Sequence, residues 1–213
     1  MSRIPVPSTK SALLRLRSDL EFLEAGRELL DQKREFLSEA LQSFDRDAAA
    51  LRENLETELH RAFEELAEAH AALGDDGLRR LALAATPLRA PKVRERSLMG
   101  VAVPMVLPRA GGDPADGDAL AAAPGEAGAA AWRVARLLRD LAGPLAELGA
   151  LEACCLRLAR ELVRTRRKLK ALEVVHIPNH RETIRFIADH LEEREREALF
   201  QLKRVKALAG GRP

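Results

Sequence analysis

The feature that most constrains this chain is a long helical repeat without a proline, running from Ser8 to Leu73. From Leu13 onward, apolar residues recur at steps of three and four, which predicts an amphipathic helix. Ser8 and Thr9 suit the N-cap at its start. At 1.5 Å per residue such a helix is roughly 100 Å long. It cannot bury its apolar stripe within one small domain, so it needs a second long helix.

The second helix is predicted at the other end of the chain, from about residue 131 to residue 208. Its apolar positions follow the same spacing. Two prolines are expected to disturb it: Gly143-Pro144 is expected to break it near its start, and Pro178 is expected to kink it. The two helices are predicted to pair antiparallel as a coiled coil.

The middle of the chain differs in composition. Gly74-Asp75-Asp76-Gly77 is expected to end the first helix, and the prolines and glycines that follow exclude another long one. Val101, Val103 and Met105 alternate with other residues and predict a short strand, which Pro104 places at a sheet edge. Residues 109–130 are rich in Gly, Ala, Pro and Asp and are expected to form a mobile loop.

The predicted fold is therefore dominated by α-helix, with a long antiparallel two-helix coiled coil and a small central head that contains a short β-hairpin. The boundaries are 1–73 for the N-terminal helix, 74–130 for the head and 131–213 for the C-terminal helix. Composition agrees, because six Phe, one Trp and no Tyr in 213 residues leave few large rings for a globular core. Such rings normally bury roughly 150–250 Å² each.

Charge suggests a register for the two helices. If Leu13 lies opposite Leu208, paired residue numbers add to about 221. The basic segment 157–170 then faces the acidic segment 51–64. Flanking charges of this kind select the pairing of coiled-coil helices. We therefore expect that register.

The sequence contains no motif of a known catalytic or metal site, such as a Gly-rich phosphate loop or His-Glu-x-x-His. His176 and His180 have the spacing of a helical metal pair, but Pro178 lies between them and no third ligand is placed nearby, so surface histidines are the better interpretation. The aspartates at 113, 116 and 118 miss the spacing of a calcium loop and are expected in a solvated turn. No catalytic residue, metal or bound cofactor is expected.

The two cysteines, Cys154 and Cys155, are adjacent on a helix, where neighbouring side chains point apart. We expect them to be packing residues in a reducing compartment; a reactive thiol is the minority alternative. No apolar run reaches about 18 residues and the N-terminus has no apolar signal core, which predicts a cytoplasmic protein that meets a membrane only peripherally.

Both ends of the chain are basic. The residues concerned are Arg3, Lys10, Arg15 and Arg17 at one end, and Lys203, Arg204, Lys206 and Arg212 at the other. Antiparallel pairing would gather them into one basic tip, although chain termini often carry charge for solubility alone. Nucleic-acid binding by segment 157–170 is a further alternative, but no aromatic residues are interleaved with its cations and the net charge is only +2.

Several stretches of the sequence resemble the D subunit of the rotary V-type (archaeal and vacuolar) ATPases. The resemblance is most specific in residues 161–206, and it also includes the start of the first helix and the predicted strand. It rests on Thr165-Arg166-Arg167, Ala171-Leu172-Glu173, Ile177-Pro178, Thr183-Ile184, Arg194-Glu195-Arg196-Glu197, Pro7-Ser8-Thr9-Lys10, Lys33-Arg34-Glu35 and Met99-Gly100-Val101.

This resemblance implies a non-catalytic rotor shaft that transmits torque between a hexamer of A and B subunits, where MgATP is used, and the ion-translocating ring in the membrane. It implies the A, B and F subunits and a socket subunit as partners, with F at the middle region, and membrane association only through the complex. The residues expected to contact the hexamer are Arg15, Arg17, Arg164, Arg166, Arg167, Lys168, Lys203, Arg204 and Lys206. A nucleic-acid-binding helical hairpin and a free-standing coiled-coil scaffold are the alternatives to this interpretation.

Overall fold

The computed structural model describes residues 4–84, 90–107 and 126–209. Their elements, in chain order, are α1 (Lys10–Ala84), β1 (Val93–Leu98), β2 (Val101–Val106), α2 (Glu126–Ala171), a π-helical turn (Leu172–His176) and α3 (Ile177–Ala209). The predicted fold class, helix-dominated with a short β-hairpin, is confirmed.

The described residues form two compact units. The terminal unit contains residues 4–36 and 162–209, and the central unit contains residues 37–161 apart from the gaps at 85–89 and 108–125. Each unit has its own buried residues, and α1 contributes to both.

Helix α1 begins where the sequence places a cap. The Thr9 Oγ1 accepts a hydrogen bond from the Ala12 backbone N–H at 3.2 Å, and the Leu13 N–H donates to the Thr9 carbonyl at 3.0 Å. One of the four unpaired N–H groups at the helix start is thereby satisfied by a side chain.

The predicted end of α1 at residues 74–77 is only an interruption. Gly74 has φ 68° and ψ 175°, a conformation that glycine adopts without steric cost, and the helix then continues to Ala84. The residues after Gly74 explain the restart. Asp75 and Asp76 suit the first turn of a helix, and the leucines, alanines and arginines that follow are good helix formers.

The break predicted at Gly143-Pro144 does not occur, because α2 continues through Pro144. A proline inside a helix costs about 3 kcal/mol. Leu141, Leu55 and Ala62 form a buried cluster beside it, with Leu148 packed against them, and this packing offsets that cost. Residues 126–130 of the predicted loop are also helical, while 109–125 lie outside the described residues.

The helix is irregular near Pro178, where a kink is predicted, and the irregularity is the π-helical turn just before it. The Ile177 N–H donates to the carbonyl of Leu172, five residues back, instead of four. In an α-helix the Pro178 ring would clash with the carbonyl of residue 174, and the wider turn relieves that clash. Pro178 itself is the second residue of α3.

The sheet is a hairpin with a two-residue loop. Leu98 pairs with Val101 across Met99 and Gly100, whose φ values of 49° and 81° fit a type I′ turn. Of the residues expected in the strand, Val101, Val103 and Met105 all lie in β2, and the two valines are buried. Met105 is 48% exposed, so the buried face ends before it.

Antiparallel pairing of α1 with the C-terminal helices holds in each unit, but the predicted register is wrong. In the terminal unit Lys10 pairs with Glu195 and Glu24 with Arg181, numbers that add to 205. In the central unit Arg52 pairs with Glu152, adding to 204. Acidic residues occur throughout α1 from Asp19 to Asp76, so the charge match does not discriminate between registers.

In the central unit, the core side of α1 is a strict heptad of small and branched residues. Ala48, Leu55, Ala62 and Ala69 are each at most 5% exposed. Alanine at three of the four positions allows a partner helix to approach closely, since interaxial distance depends on the side chains at the contact. Large aromatic rings would not fit between helices packed this closely, in agreement with the few aromatic residues of the chain.

Candidate subunit interface

Two side chains of α2 hold the β-hairpin from its outer edge. In this hairpin Ala102 and Pro104 belong to non-hydrogen-bonded pairs, so their carbonyls point away from β1. Arg157 Nη1 donates to the Ala102 carbonyl at 2.7 Å, and the Cys154 thiol donates to the Pro104 carbonyl at 3.3 Å. Helix α2 therefore covers the free edge of β2.

Among the described residues, no further strand pairs with the opposite strand, β1. Its residues from Val93 to Ser97 are all exposed, and only Leu98 is half-buried. Glu95 is held by a 2.9 Å ion pair with Arg157. The edge carries Arg94 and Arg96, charged residues of the kind that natural edge strands use against unwanted pairing.

In the terminal unit, the N-terminal segment runs as an extended strap before α1. Ile4 and Val6 are half-buried while Pro5 and Pro7 are exposed, an alternation with the period of an extended chain. The Ile4 N–H donates to the Thr183 Oγ1 at 3.1 Å, and that hydroxyl donates to the Asn179 carbonyl at 2.7 Å. These two hydrogen bonds satisfy the hydroxyl, which explains why Thr183 is buried although it is polar.

The predicted contact residues of α2 are all exposed. Leu162, Thr165 and Leu169 are buried at helical spacing, and the cations between them are exposed. The exposed cations are Arg164, Arg166, Arg167 and Lys168. At 3.6 residues per turn they span about 200° of the helix circumference, so all four face solvent while Arg166 and Lys168 lie on opposite flanks of the buried stripe.

The single basic tip predicted from the two ends is not formed. Lys10 pairs with Glu195 at 2.6 Å, so Lys203, Arg204 and Lys206 lie beyond the start of α1. Arg15 and Arg17 lie in the opposite direction from that pair, about 20 Å from Lys203 along the helix axis at 1.5 Å per residue. The five predicted contacts near the two chain ends are all exposed, but they form two separate groups, one on α1 and one on α3. Arg3 and Arg212 fall outside the described residues.

Apolar side chains accompany the basic end of α3. Leu199, Phe200, Leu202 and Val205 are between 59% and 69% exposed. Sequence reasoning identifies the charges here and misses these residues. The signal that could identify them is the register, because residues past Glu195 have no α1 residue opposite them.

The two cysteines have the environment of packing residues. Cys154 is buried and Cys155 half-buried, and burial raises the pKa of both thiols above the ordinary value. A raised pKa lowers the thiolate fraction at neutral pH, which makes a thiol less reactive.

The histidine pair does not form a metal site within the described residues. The His180 ring nitrogen Nδ1 is 2.8 Å from the His176 carbonyl, and no group of three His, Cys, Asp or Glu side chains able to hold a metal was found there. The aspartates at 113, 116 and 118 lie outside the described residues. Among the helices described, none is long and apolar enough to cross a membrane.

Comparison with known proteins decides the family. The sequence profile of the ATP synthase D subunit matches residues 12–207 of this chain. The chain belongs to the ATP synthase D-subunit family. It is 34% identical over 211 residues to the D subunit of the A-type ATP synthase of Pyrococcus furiosus, covering 98% of this chain and 97% of the relative.

Other archaeal members of the D-subunit family agree. The D subunit of the A-type ATP synthase of Thermococcus sibiricus is 35% identical over 216 residues, covering 98% of this chain and 97% of the relative. That of Methanosphaera stadtmanae is 36% identical over 201 residues, covering 93% and 92%. The match extends over α1, the hairpin, α2 and α3, so this chain is a D subunit of an A/V-type ATP synthase complex.

Proposed function

We propose that this chain is the central rotor shaft of its complex and transmits torque between the hexamer of A and B subunits and the ion-translocating ring. The observation that supports the proposal is the D-subunit match over residues 12–207, which contains both long helical regions. Paired helices suit the task because each stiffens the other against bending. ATP chemistry takes place on the hexamer, and this chain binds no cofactor.

We propose that the two units meet different partners. The terminal unit, with its exposed cations on α2 and α3, contacts the A and B subunits. The central unit, with the hairpin held on α2, binds the F subunit, and the socket subunit links the chain to the membrane ring. Exposed cations give screened contacts that exchange readily as the hexamer changes state.

Charge reversal in the terminal unit tests this assignment. Arg166→Glu with Arg167→Glu is expected to weaken assembly with purified A and B subunits at least about tenfold, because two exposed charges change sign at the contact. The matched control is Arg79→Glu with Arg80→Glu, two exposed arginines of the central unit. A single-molecule rotation assay with MgATP measures torque transmission in each assembled variant.

Three outcomes distinguish the candidate functions. Loss of assembly in the α2 variant alone supports the shaft. Equal assembly and equal rotation in both variants contradict the contact assignment. A wild-type chain that fails to join A and B, but binds DNA or RNA at moderate salt, supports the nucleic-acid alternative instead.

A further inference from the structure

Helix α1 carries a second apolar repeat on the side opposite its buried one. In the terminal unit the buried and half-buried positions include Leu16, Leu20, Leu23 and Leu30. A second series, offset by two residues and so by about 200° around the helix, is exposed. Its members, which we call the outer seam, are Ser18, Phe22, Ala25, Leu29, Gln32 and Phe36. The alternating steps of four and three are those of a coiled-coil seam.

The exposure of the outer seam is unusual for a chain with so few aromatic residues. Phe22 is 78% exposed, Leu29 67% and Phe36 37%, at intervals of seven residues. Two of the six phenylalanines of the chain belong to it. Single exposed apolar residues need no explanation, but large apolar side chains that repeat along one face of a helix indicate an interaction surface.

The seam also has room for a close partner. Ala25 is exposed, and a Cβ added to Gly26 beside it would meet no atom within 4 Å. Small residues between larger anchors allow a second helix to lie in the groove, with Phe22 and Leu29 as knobs. A helix, rather than a strand or loop, matches this spacing because its own side chains repeat with the same period.

Charge specifies the chemistry of that helix. Glu21, Glu28 and Glu35 are exposed and follow one flank of the outer seam at intervals of seven residues. By contrast, Glu24, on the core side of the helix, is already paired with Arg181. Flanking charges in coiled coils select partners of opposite sign. The partner therefore needs lysine or arginine beside its apolar stripe.

We propose that the outer seam binds one amphipathic helix of another subunit, with a Lys/Arg-rich flank that meets Glu21, Glu28 and Glu35. The proposal rests on the proposed function, because it takes the helix from the assembled ATPase complex. A second copy of this chain fits less well. Paired antiparallel, it would set the two glutamate rows against each other; paired parallel, its opposite flank offers Asp19, Gly26 and Lys33, a single cation for three carboxylates.

The first experiment maps the contact in the assembled complex. The photoreactive residue benzoylphenylalanine replaces Leu29 in a chain that is purified with its partner subunits and then irradiated. We expect a cross-linked peptide from another subunit that has a helical apolar repeat flanked by Lys or Arg. A cross-link to a second copy of this chain, or no cross-link from an assembled complex, would overturn the proposal.

The second experiment measures the contributions of the seam and its flank. Phe22→Ser with Leu29→Ser is expected to weaken association with the cross-linked subunit about 10- to 100-fold, since buried apolar anchors dominate binding. The control, Leu83→Ser with Leu156→Ser, removes equally exposed leucines elsewhere and should change association less than about twofold. Equal effects of the two double variants would contradict the seam.

Reversal of the flank isolates the charge argument. Glu21→Lys with Glu28→Lys and Glu35→Lys should weaken binding about tenfold at low salt and much less at high salt, because screening removes the repulsion. Circular dichroism of each variant is expected to match the wild type, since all the replaced residues are exposed. Stronger binding of the reversed flank would show that the partner is acidic and would refute the proposal. A wild-type chain that never assembles with A and B contradicts the proposed function itself, and co-purification reveals this before any cross-linking.

Discussion

Arg157 holds two parts of the hairpin with one guanidinium nitrogen. Its Nη1 donates to the Ala102 carbonyl at 2.7 Å and to the Glu95 carboxylate at 2.9 Å. Arg157→Ala is expected to lower the free energy of unfolding by about 1–2 kcal/mol, because the β2 carbonyl loses its donor. Urea titration measures the change, with the exposed Arg160→Ala as control. A loss as large in the control would show that the hairpin contacts are irrelevant.

The two thiols should differ in reactivity. Burial raises the pKa of both, and Cys154 is the more buried and donates to the Pro104 carbonyl. We expect the thiol of Cys154 to react with a disulfide reagent far more slowly than that of Cys155, and both more slowly than free cysteine at pH 7. Both rates should rise with pH as thiolate forms. The variants Cys154→Ser and Cys155→Ser, each with one thiol left, separate the rates; a Cys154 that reacts like free cysteine contradicts this account.

At the scale of single residues, the sequence predicts the local structure of a residue better than its contacts with distant parts of the chain. Thr9 as the cap and Val101 and Val103 in a strand follow from local rules, which depend on neighbours along the chain. Charge patterning groups Arg157 with the cations that face α1, yet it serves the hairpin. That contact joins residues 55 positions apart, which local patterns do not encode.

At the scale of elements, the π-helical turn acts as a one-residue insertion into a continuous helix. Its five residues are outside the core, and Val174 is 59% exposed. Deleting Val174 together with Pro178→Ala, which removes the ring that the wider turn accommodates, should convert the turn to an α-helical one while keeping Leu169 and Ile187 in phase with the core. We expect the free energy of unfolding to change by less than about 1 kcal/mol.

A deletion elsewhere in the same helical region, also combined with Pro178→Ala, provides the control. Removing Val163, in regular α-helix, rotates the residues on one side by about 100° relative to the other and takes Leu158 or Leu169 out of the core. The expected loss is more than about 3 kcal/mol. Chemical denaturation measures the free energy of unfolding of both variants. Equal losses would contradict the view that the π-turn is a one-residue insertion.

Element ends and register are the parts of the fold that pattern reasoning misses. Gly143-Pro144 has a breaking signal, but burial of Leu141 and its neighbours outweighs it. The heptad repeat looks similar after any shift by whole heptads, so it fixes which face is buried and leaves the alignment open. Only contacts such as Lys10–Glu195 determine which repeat faces which.

At the scale of the whole molecule, the scarcity of aromatic residues has two consequences in the described residues. Cores are built from Leu and Ala at heptad spacing, as with Ala62 and Ala69. The few phenylalanines that remain are largely exposed, Phe22, Phe63 and Phe200 each by 60% or more. Aromatic residues are favoured anchors at protein interfaces. These exposed phenylalanines are therefore candidate anchors for contacts within the complex.

The exposed end of α3 permits a test that separates folding from assembly. Residues 199–206 are all exposed, and the last ion pair between α1 and α3 is Lys10–Glu195 among the described residues. A chain ending at Ala198 should therefore keep its melting temperature within a few degrees of the wild type, because no buried side chain among those described is removed. Under the proposed function it should assemble with A and B less tightly and lose part of its ATP-driven rotation.

The matched control for this truncation ends at Asp189. It also removes Leu191, which lines a surface groove with Leu13 and Leu14, and the partner of Lys10. We expect it to melt at a clearly lower temperature, since apolar contact between the two helices is lost. Calorimetry of both truncations decides the folding question, and rotation assays of the longer one decide the functional question. A chain ending at Ala198 that rotates as the wild type does would remove Lys203, Arg204 and Lys206 from the torque-bearing surface.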